Sequence, residues 1–330
     1  MNRSGGPFTA RGVIFVLACM LALLCAGISQ AQQLPGRIEI HSVRSRTLTG
    51  VEFLKGGASG TEALLGGELR FPPGPAAKVP VVVLIHGSGG VGPGVEGWAR
   101  ALNDAGIAAF ILDTFTGRGI VSTVENQDQL HSLAMMVDAY RALDVLAAHP
   151  RIRADRIAVM GFSKGAVASV FSASDRFRTA YGSSMRFAAH IGLYTPCNTR
   201  FDGDTKVARV PIRLFHGITD DYVSIGPCRE FVAELKSAGV DVLLTEYPDS
   251  QHAFDNPNSP RLVDIPKAQS TRNCKLRESA NGVIVNAASG APFTMADPCV
   301  AIGAHVGYNA ESTSAARLAL TTFLKQALLN

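Results

Sequence analysis

Three features are missing from this sequence of 330 residues. It has no block of like charges, because its 31 Lys and Arg residues and its 27 Asp and Glu residues are interspersed, so its charge pattern does not favour a nucleic-acid partner. It has no Cys-x-x-Cys pair, which argues against a zinc site. It also has no internal repeat and no linker-like segment, and this continuity predicts a single domain.

A hydrophobic run near the N-terminus, Val13–Ala26, is too short for a comfortable membrane span. Two arginines precede the run and a Ser-Gln-Ala stretch ending at Ala31 follows it, which is the pattern of a secretory signal peptide. We therefore expect residues 1–31 to be removed. The mature chain, residues 32–330, is then exported to the periplasm or secreted, without stable membrane insertion.

Apolar runs of strand character alternate with helical patterns along the rest of the chain. This alternation predicts an α/β fold with a mainly parallel central sheet and helices on both faces. Val79–Ile85 is rich in β-branched residues, as expected of a central strand. Residues 253–310 have little periodicity, so we expect a long irregular segment there, before a C-terminal helix over Thr313–Leu329. Further strands are predicted over Ile38–Val43, Leu64–Phe71, Ile107–Leu112, Arg156–Met160, Phe187–Leu193, Ile212–Phe215 and Val240–Glu246, with helices over Trp98–Ala105, Leu130–Ala148 and Arg229–Ser237.

The segment Met160–Gly165 lies between a predicted strand and an apolar helical run, and it reads Met-Gly-Phe-Ser-Lys-Gly. A serine with glycines two positions away on either side, at such a junction, is the pattern of a nucleophile elbow. The turn strains the serine backbone and places its hydroxyl at a helix N-terminus, where backbone N–H groups favour negative charge. Ser163 is therefore the candidate nucleophile.

Two more motifs follow the ends of predicted strands. Asp220 lies in Gly-Ile-Thr-Asp-Asp-Tyr-Val, and His252 lies in His-Ala-Phe-Asp. Nucleophile, then acid, then base is the chain order of α/β-hydrolases. His252 would take the proton from Ser163, and Asp220 would hold the imidazole in the required tautomer. Asp221 stays open as an alternative acid.

A glycine-rich motif follows the central strand and reads His-Gly-Ser-Gly-Gly from His86. Backbone N–H groups in such a loop can stabilise an oxyanion. The backbone amides of Ser88 and Lys164 are the candidate donors. No metal site is expected.

These four motifs together resemble the dienelactone hydrolase family of α/β-hydrolases. The resemblance runs from about Val79 to the C-terminus and includes Asp-Thr-Phe at residues 113–115 with Arg118-Gly119. It implies hydrolysis of small carboxylic esters or lactones by a compact, nearly lid-free enzyme without a cofactor. The founding dienelactone hydrolases carry a cysteine nucleophile where this chain has Ser163, so a broader esterase activity is expected.

Several polar residues have both a functional and a structural interpretation. The Lys164 side chain either attracts an anionic substrate or pairs with a carboxylate. Arg118 is a candidate substrate-binding residue, with a loop-bracing role as the alternative. His86, His216 and His305 are expected to be structural, since the first two precede glycines at strand ends.

The mature chain keeps four of the six cysteines, and an even number in an exported chain predicts disulfides with three possible connectivities. Cys197 follows a strand whose end should neighbour the next strand, so a bond to Cys228 would brace the acid loop. Cys274 and Cys299 would then close a loop in the late segment. These two local pairings are our prediction.

The sequence thus predicts an exported serine hydrolase acting on a small ester or lactone. The alternatives are a small peptidase of the same fold and a catalytically silent hydrolase fold that serves as a binding module. The oligomeric state is not predicted.

Overall fold

The computed structural model describes Met1 and residues 36–57, 59–74 and 78–330. The predicted signal peptide, apart from Met1, lies outside the described residues. Residues from Gly36 to Asn330 form one compact unit. Among the described residues, no helix is long and apolar enough to cross a membrane.

An eight-stranded sheet runs through this unit in the order β1-β2-β4-β3-β5-β6-β8-β9. The first three strands in this order pair antiparallel, and all the remaining pairs are parallel. The predicted α/β fold with a mainly parallel sheet is confirmed. The strands of this sheet are β1 Ile38–Thr47, β2 Thr61–Arg70, β3 Val79–Ile85, β4 Ala108–Asp113, β5 Ile152–Phe162, β6 His190–Leu193, β8 Ile212–Gly217 and β9 Val242–Tyr247.

Helices cover both faces of the sheet because the central strands are apolar on both faces. The helices are α1 Gly50–Leu54, α2 Pro93–Asp104, α3 Ser132–Ala147, α4 Lys164–Phe171, α5 Asp175–Tyr181, α6 Gly226–Ser237 and α7 Ala310–Leu328. In β3, Val81, Val83 and Ile85 join the core on one face with α3, α4 and α6, while Val82 and Leu84 join the core on the other face with α2 and α7.

The late segment differs from the sequence prediction, because residues 253–310 are not irregular throughout. Residues 263–306, called the cap below, contain four strands. Two of them pair with each other, and two join the short strand β7, Thr199–Arg200, in a three-stranded sheet. These strands are short or irregularly paired, and apolar and polar residues do not alternate cleanly along them. The sequence pattern therefore did not predict them as strands. They are β10 Val263–Ser270, β11 Leu276–Glu278, β12 Ile284–Asn286 and β13 Ala301–Val306.

Two disulfides join the four cysteines of the described chain. Cys197 is bonded to Cys228, and Cys274 is bonded to Cys299 within the cap. These are the pairings expected from the sequence. The first connects the region after β6 to the first turn of α6, directly beyond the loop that carries Asp220.

Candidate active site

The turn between β5 and α4 carries Ser163 in a strained conformation, with φ 51° and ψ −116°. Positive φ is costly for a residue with a Cβ and persists only where the surroundings impose it. The surroundings are tight here, because a Cβ at Gly161 would lie 2.1 Å from the carbonyl oxygen of Gly165, and one at Gly165 would lie 2.3 Å from that of Ile85. The Ser163 amide donates to Leu193 O at 3.0 Å, which fixes the turn against β6.

Ser163, His252 and Asp220 form a continuous hydrogen-bonded chain. Ser163 Oγ lies 2.9 Å from His252 Nε2, and His252 Nδ1 lies 2.8 Å from Asp220 Oδ2. Because an ionised carboxylate only accepts hydrogen bonds, Nδ1 donates to it and Nε2 is left to accept from the hydroxyl. The acid and the base are both nearly inaccessible to solvent, which strengthens the interaction between them.

Asp220 is held as an anion by its neighbours. Its Oδ1 accepts from the backbone amides of Tyr222 at 2.9 Å and Val223 at 2.8 Å. Burial opposes ionisation, but the charge of His252 and the hydrogen bonds from His216 and His252 outweigh it and hold the pKa of Asp220 below its usual range.

Asp221 faces a different group. Its Oδ2 lies 2.7 Å from His305 Nδ1, and its Oδ1 accepts from the His305 backbone amide. The hydrogen bond and charge of Asp221 raise the pKa of His305, with a smaller contribution from Asp264. His305 therefore ties the cap to the loop that carries Asp220, and its acidic partners come from segments distant in the sequence.

Two tyrosine rings hold the imidazole of His252 between them. The ring centroids of Tyr194 and Tyr222 lie 4.5 Å and 4.8 Å from that of His252. Tyr194 donates its hydroxyl to the buried carboxylate of Asp255 at 3.0 Å, and Trp98 Nε1 donates to the same carboxylate at 2.5 Å. Of these two tyrosines, Tyr222 alone lies inside a motif identified in the sequence, the motif of the acid. The role of Tyr194 is evident from the tertiary structure alone.

The candidate oxyanion donors lie beside the nucleophile. Strand β3 pairs in parallel with β5, with Ile85 opposite Gly161, so the residues that follow the two strands are neighbours. Ser88 and Lys164 both line the same cavity as Ser163. The Lys164 amide belongs to the first turn of α4, where N–H groups have no partner within the helix.

Within the described part of the chain, the hydrogen bonds of the Lys164 side chain go to neutral oxygens. Its Nζ donates to the backbone oxygen of Gln127 at 2.7 Å, to Gln127 Oε1 at 3.1 Å and to Thr123 Oγ1 at 3.3 Å. Burial lowers the pKa of Lys164 to about 7, although the charge of Asp128 opposes the shift. These three oxygens can accept all three hydrogen bonds of the ammonium group. Lys164 therefore needs neither of the partners expected from the sequence, which were a carboxylate of the protein and a substrate anion.

Gln127 is the residue on which these segments converge, and the sequence did not point to it. Besides Lys164, its Oε1 accepts from Ser88 Oγ at 3.1 Å, and its Nε2 donates to Tyr222 Oη at 3.4 Å. Its backbone amide donates to Gln269 Oε1 of the cap at 2.8 Å. Gln127 therefore connects the elbow helix, the oxyanion loop, the acid loop and the cap.

The contacts of Arg118 favour its loop-bracing role over the suggested substrate-binding role. Its guanidinium is buried in a paired arrangement with Asp138, at 2.8 Å and 2.9 Å, and also donates to Thr47 Oγ1 and Thr114 O. It does not line the cavity that contains Ser163. Arg118 is the loop-bracing arginine of the alternative interpretation, because its donors are used by the protein itself.

The histidines expected to be structural make the contacts of structural residues. His86 Nδ1 lies 2.8 Å from Gly87 O, and its Nε2 accepts from the Thr114 amide at 3.2 Å. His216 Nε2 lies 2.9 Å from Val223 O and 3.4 Å from Asp220 Oδ2. His216 thereby supports the acid, which the sequence interpretation did not include.

A cavity of about 340 Å³ opens at Ser163. Its polar end contains the nucleophile, Ser88, Gln127, Lys164 and Tyr222. The cap supplies a large part of the remaining wall, including Leu276, Ile284 and Phe293. The site is therefore covered by a stapled segment and is not nearly lid-free as the family resemblance implied.

A mainly parallel sheet with a strained serine on the turn after a central strand defines the α/β-hydrolase class of enzymes. Within that class, the family model of the dienelactone hydrolase family matches residues 66–328. The chain belongs to the dienelactone hydrolase family and is a hydrolase. This membership implies small-molecule substrates.

Solved structures of similar fold have low sequence identity to this chain. One is a dienelactone hydrolase-like promiscuous phosphotriesterase from metagenomic libraries, 18% identical with a TM-score of 0.56, where the alignment covers 88% of this chain and 98% of that chain. Another is an α/β-hydrolase enzyme from a Medee basin deep-sea metagenome library, 16% identical with a TM-score of 0.52 and coverage of 89% and 99%. No curated protein matches this chain in sequence.

Proposed function

We propose that this protein is a serine hydrolase of small carboxylic esters or lactones, with Ser163, His252 and Asp220 as its catalytic triad. The observation that carries the proposal is the pair of contacts at 2.9 Å and 2.8 Å that link the three side chains. The strained turn at Ser163 and the buried, ionised Asp220 support it, since neither is needed for a stable fold alone.

In the first half-reaction, Ser163 Oγ attacks the carbonyl carbon of the ester while His252 Nε2 takes its proton. The backbone amides of Ser88 and Lys164 donate to the oxygen that becomes negative. The bond to the leaving group then breaks, and the leaving oxygen takes the proton from Nε2. The product alcohol departs and the acyl group stays on Ser163.

In the second half-reaction, His252 takes a proton from a water molecule that attacks the acyl carbon. The acyl–oxygen bond breaks, the acid leaves, and the proton returns to Ser163 Oγ. Asp220 stays ionised throughout and stabilises the imidazolium. The buried imidazole of His252 lies between two tyrosine rings, so it keeps one orientation during both steps.

Export of the mature chain is part of this proposal. The two disulfides within residues 36–330 support it, because disulfides persist mainly in oxidising compartments. A signal peptide at residues 1–31 remains a prediction from the sequence.

Covalent labelling by a fluorophosphonate, followed by hydrolysis assays on p-nitrophenyl acetate and a simple lactone, tests the proposal. We expect label on Ser163 and loss of turnover by several orders of magnitude in Ser163→Ala and in His252→Ala. The double variant should lose no more than either single one, because the residues act as a unit.

Ser169→Ala is a matched control, since Ser169 is a buried serine of α4 whose hydroxyl bonds to the backbone oxygens of Val159 and Ile191. Absence of labelling together with absence of turnover on any ester would favour the silent binding module. Turnover that survives Ser163→Ala would overturn the triad, and cleavage of peptides in preference to esters would favour the peptidase.

A further inference from the structure

The cavity at Ser163 changes character along its length. Its catalytic end is polar, as described above. The first apolar group is Val167, one helical turn beyond Ser163 on α4. Further apolar lining residues come from α1, the flank of β7 and the cap, namely Val51, Phe201, Leu276, Ile284, Phe293 and Met295. Uncharged polar residues such as Thr49, Asn198 and Thr271 lie among them in the lining.

Among the described residues, the lining of the cavity offers a substrate anion no lysine other than Lys164 and no arginine. The three donors of Lys164 are engaged by Gln127 and Thr123. Burial, together with the charge of Lys164, lowers the pKa of the lining residue His131 to about 4, so His131 is neutral at pH 7. Asp128, also in the lining, would repel a carboxylate.

The apolar wall is fixed in place by the cap. Strand β11 pairs in parallel with β7, with Leu276 opposite Thr199, and Cys274, two residues before Leu276, is bonded to Cys299. On the opposite side, Ser270 Oγ donates to Tyr222 O at 2.6 Å. The wall and the triad are therefore parts of one connected structure, and the space between them has a defined size.

We propose that the cap makes this enzyme selective for uncharged esters that carry an apolar chain of several carbons on one side of the scissile bond. The apolar chain lies along Val167 toward Phe293 while the carbonyl carbon lies at Ser163. A volume of about 340 Å³ is near the lower limit of small-molecule sites, which is about 300 Å³, so the preference ends at a medium chain length. This inference rests on the proposed function.

The test is the ratio kcat/KM for p-nitrophenyl esters with acyl chains from two to twelve carbons. Each methylene that leaves water for the apolar wall should raise kcat/KM about fourfold until the cavity is full. A parallel series of acetate esters with lengthening alcohols identifies which side of the bond uses the wall. A rise in either series supports the proposal, and flat rates in both overturn it.

The charge of the substrate provides a second test of the proposal. A substrate with a terminal carboxylate on the chain should have a kcat/KM at least tenfold below that of its methyl ester, because the far wall cannot solvate or pair the anion. A preference for the carboxylate that is lost at high salt would overturn the proposal and would instead assign Lys164 to substrate binding.

Two variants locate the wall. Ile284→Trp fills the cavity and should move the optimum to a shorter chain, while Phe293→Ala should move it to a longer chain. Ile302→Trp is the matched control, because Ile302 is an exposed residue of the cap outside the cavity. Unmoved optima in folded variants would contradict the proposal.

The outcomes separate this inference from the proposed function. Hydrolysis of p-nitrophenyl acetate through Ser163 at a rate that does not depend on chain length would support the proposed function and contradict the inference about the cap. An enzyme that hydrolyses no ester in either series loses both.

Discussion

Asp220 and Asp221 are adjacent in sequence, yet their carboxylates point to different histidines. Asp220 is buried and contacts His252 and His216, whereas Asp221 is partly exposed and contacts His305. A buried carboxylate interacts more strongly with an imidazolium than an exposed one, because less solvent screens it. The geometry therefore favours Asp220 as the acid and gives Asp221 a role in attaching the cap.

Exchange of each aspartate for asparagine tests this division. Asp220→Asn should lower kcat by about 10²–10⁴-fold, because an amide cannot stabilise the imidazolium and favours the wrong tautomer. Asp221→Asn should change kcat by less than about tenfold. Steady-state kinetics on one activated ester decide between them, and a larger loss in Asp221→Asn would reverse the assignment.

Arg118 should matter for stability and not for substrate choice. Removing one partner of the buried Arg118–Asp138 pair leaves an uncompensated charge, so Arg118→Met should lower the free energy of unfolding by about 3–5 kcal/mol. Arg100→Met, at an exposed arginine, should change it by less than about 0.5 kcal/mol.

Urea denaturation measures both effects. The ratio of kcat/KM for charged and neutral esters should be the same in the folded variants and the wild type. A selective loss of activity on charged esters in Arg118→Met would restore the substrate-binding role.

Lys164 should link stability to pH. Its pKa is lowered by burial to about 7 in the folded protein, whereas lysine in an unfolded chain titrates near 10.4. At pH values below about 7 both states are protonated. Between about 7 and 10 only the unfolded chain carries the proton, so this group makes the folded protein more stable as pH rises.

In Lys164→Met that pH-dependent gain is absent. The free energy of unfolding of the variant, relative to the wild type, should therefore fall by about 1 kcal/mol per pH unit between pH 7 and 10. Denaturation curves at three pH values in this range measure the slope. Parallel pH profiles for the two proteins would mean that Lys164 keeps an ordinary pKa.

The cap is the element in which local sequence and final structure diverge most. Its strands each pair over few residues, and such short strands are marginal in isolation. The disulfide between Cys274 and Cys299 compensates by restricting the unfolded segment. The cap thereby acquires a fixed position over Ser163 without a large core of its own.

Removing the two disulfides separately should have different consequences. Replacing both Cys274 and Cys299 by serine should lower the free energy of unfolding by about 2–4 kcal/mol and raise KM for long-chain esters more than for acetate. Replacing Cys197 and Cys228 should cost a similar free energy but affect all esters alike, because that bond lies behind the acid loop. Equal KM for all chain lengths in the first variant would show that the cap does not need its disulfide.

At the scale of the whole molecule, the parallel sheet brings distant segments to one edge. Ser163, Asp220 and His252 follow β5, β8 and β9, and the carboxyl ends of parallel strands lie at the same edge. The glycine-rich loop after β3 arrives at that edge by the same rule. The order of motifs along the chain thus becomes a site because the strands share a direction.

Export belongs to this scale too, since it concerns the whole mature chain. We expect N-terminal sequencing of the protein from the periplasm or medium to start at Gln32, directly after Ala31. Intact mass of the unreduced protein should show four hydrogens fewer than the sequence of the mature chain, as two disulfides require. An uncleaved N-terminus would contradict the signal peptide, and four alkylatable thiols would contradict the disulfides.

The sequence by itself determined the class of fold, the four motifs and their order. These are local properties: the strained turn of a nucleophile elbow needs small residues two positions from the serine on either side, and a central strand covered on both faces needs apolar residues throughout. It also favoured the two disulfide pairings, because the partner cysteines lie on neighbouring segments. The choice of Asp220 over Asp221 could be made only as a preference.

Tertiary structure alone decided the surroundings of those motifs. Gln127 and Tyr194 acquire their contacts from segments far apart in sequence, and no local pattern marks them. Arg118 turns inward because Asp138 is buried opposite it, and a sequence cannot reveal which charges lose their solvent. The cap became a wall of the site because its short strands gain stability only by pairing and packing with residues already folded, and those contacts are non-local.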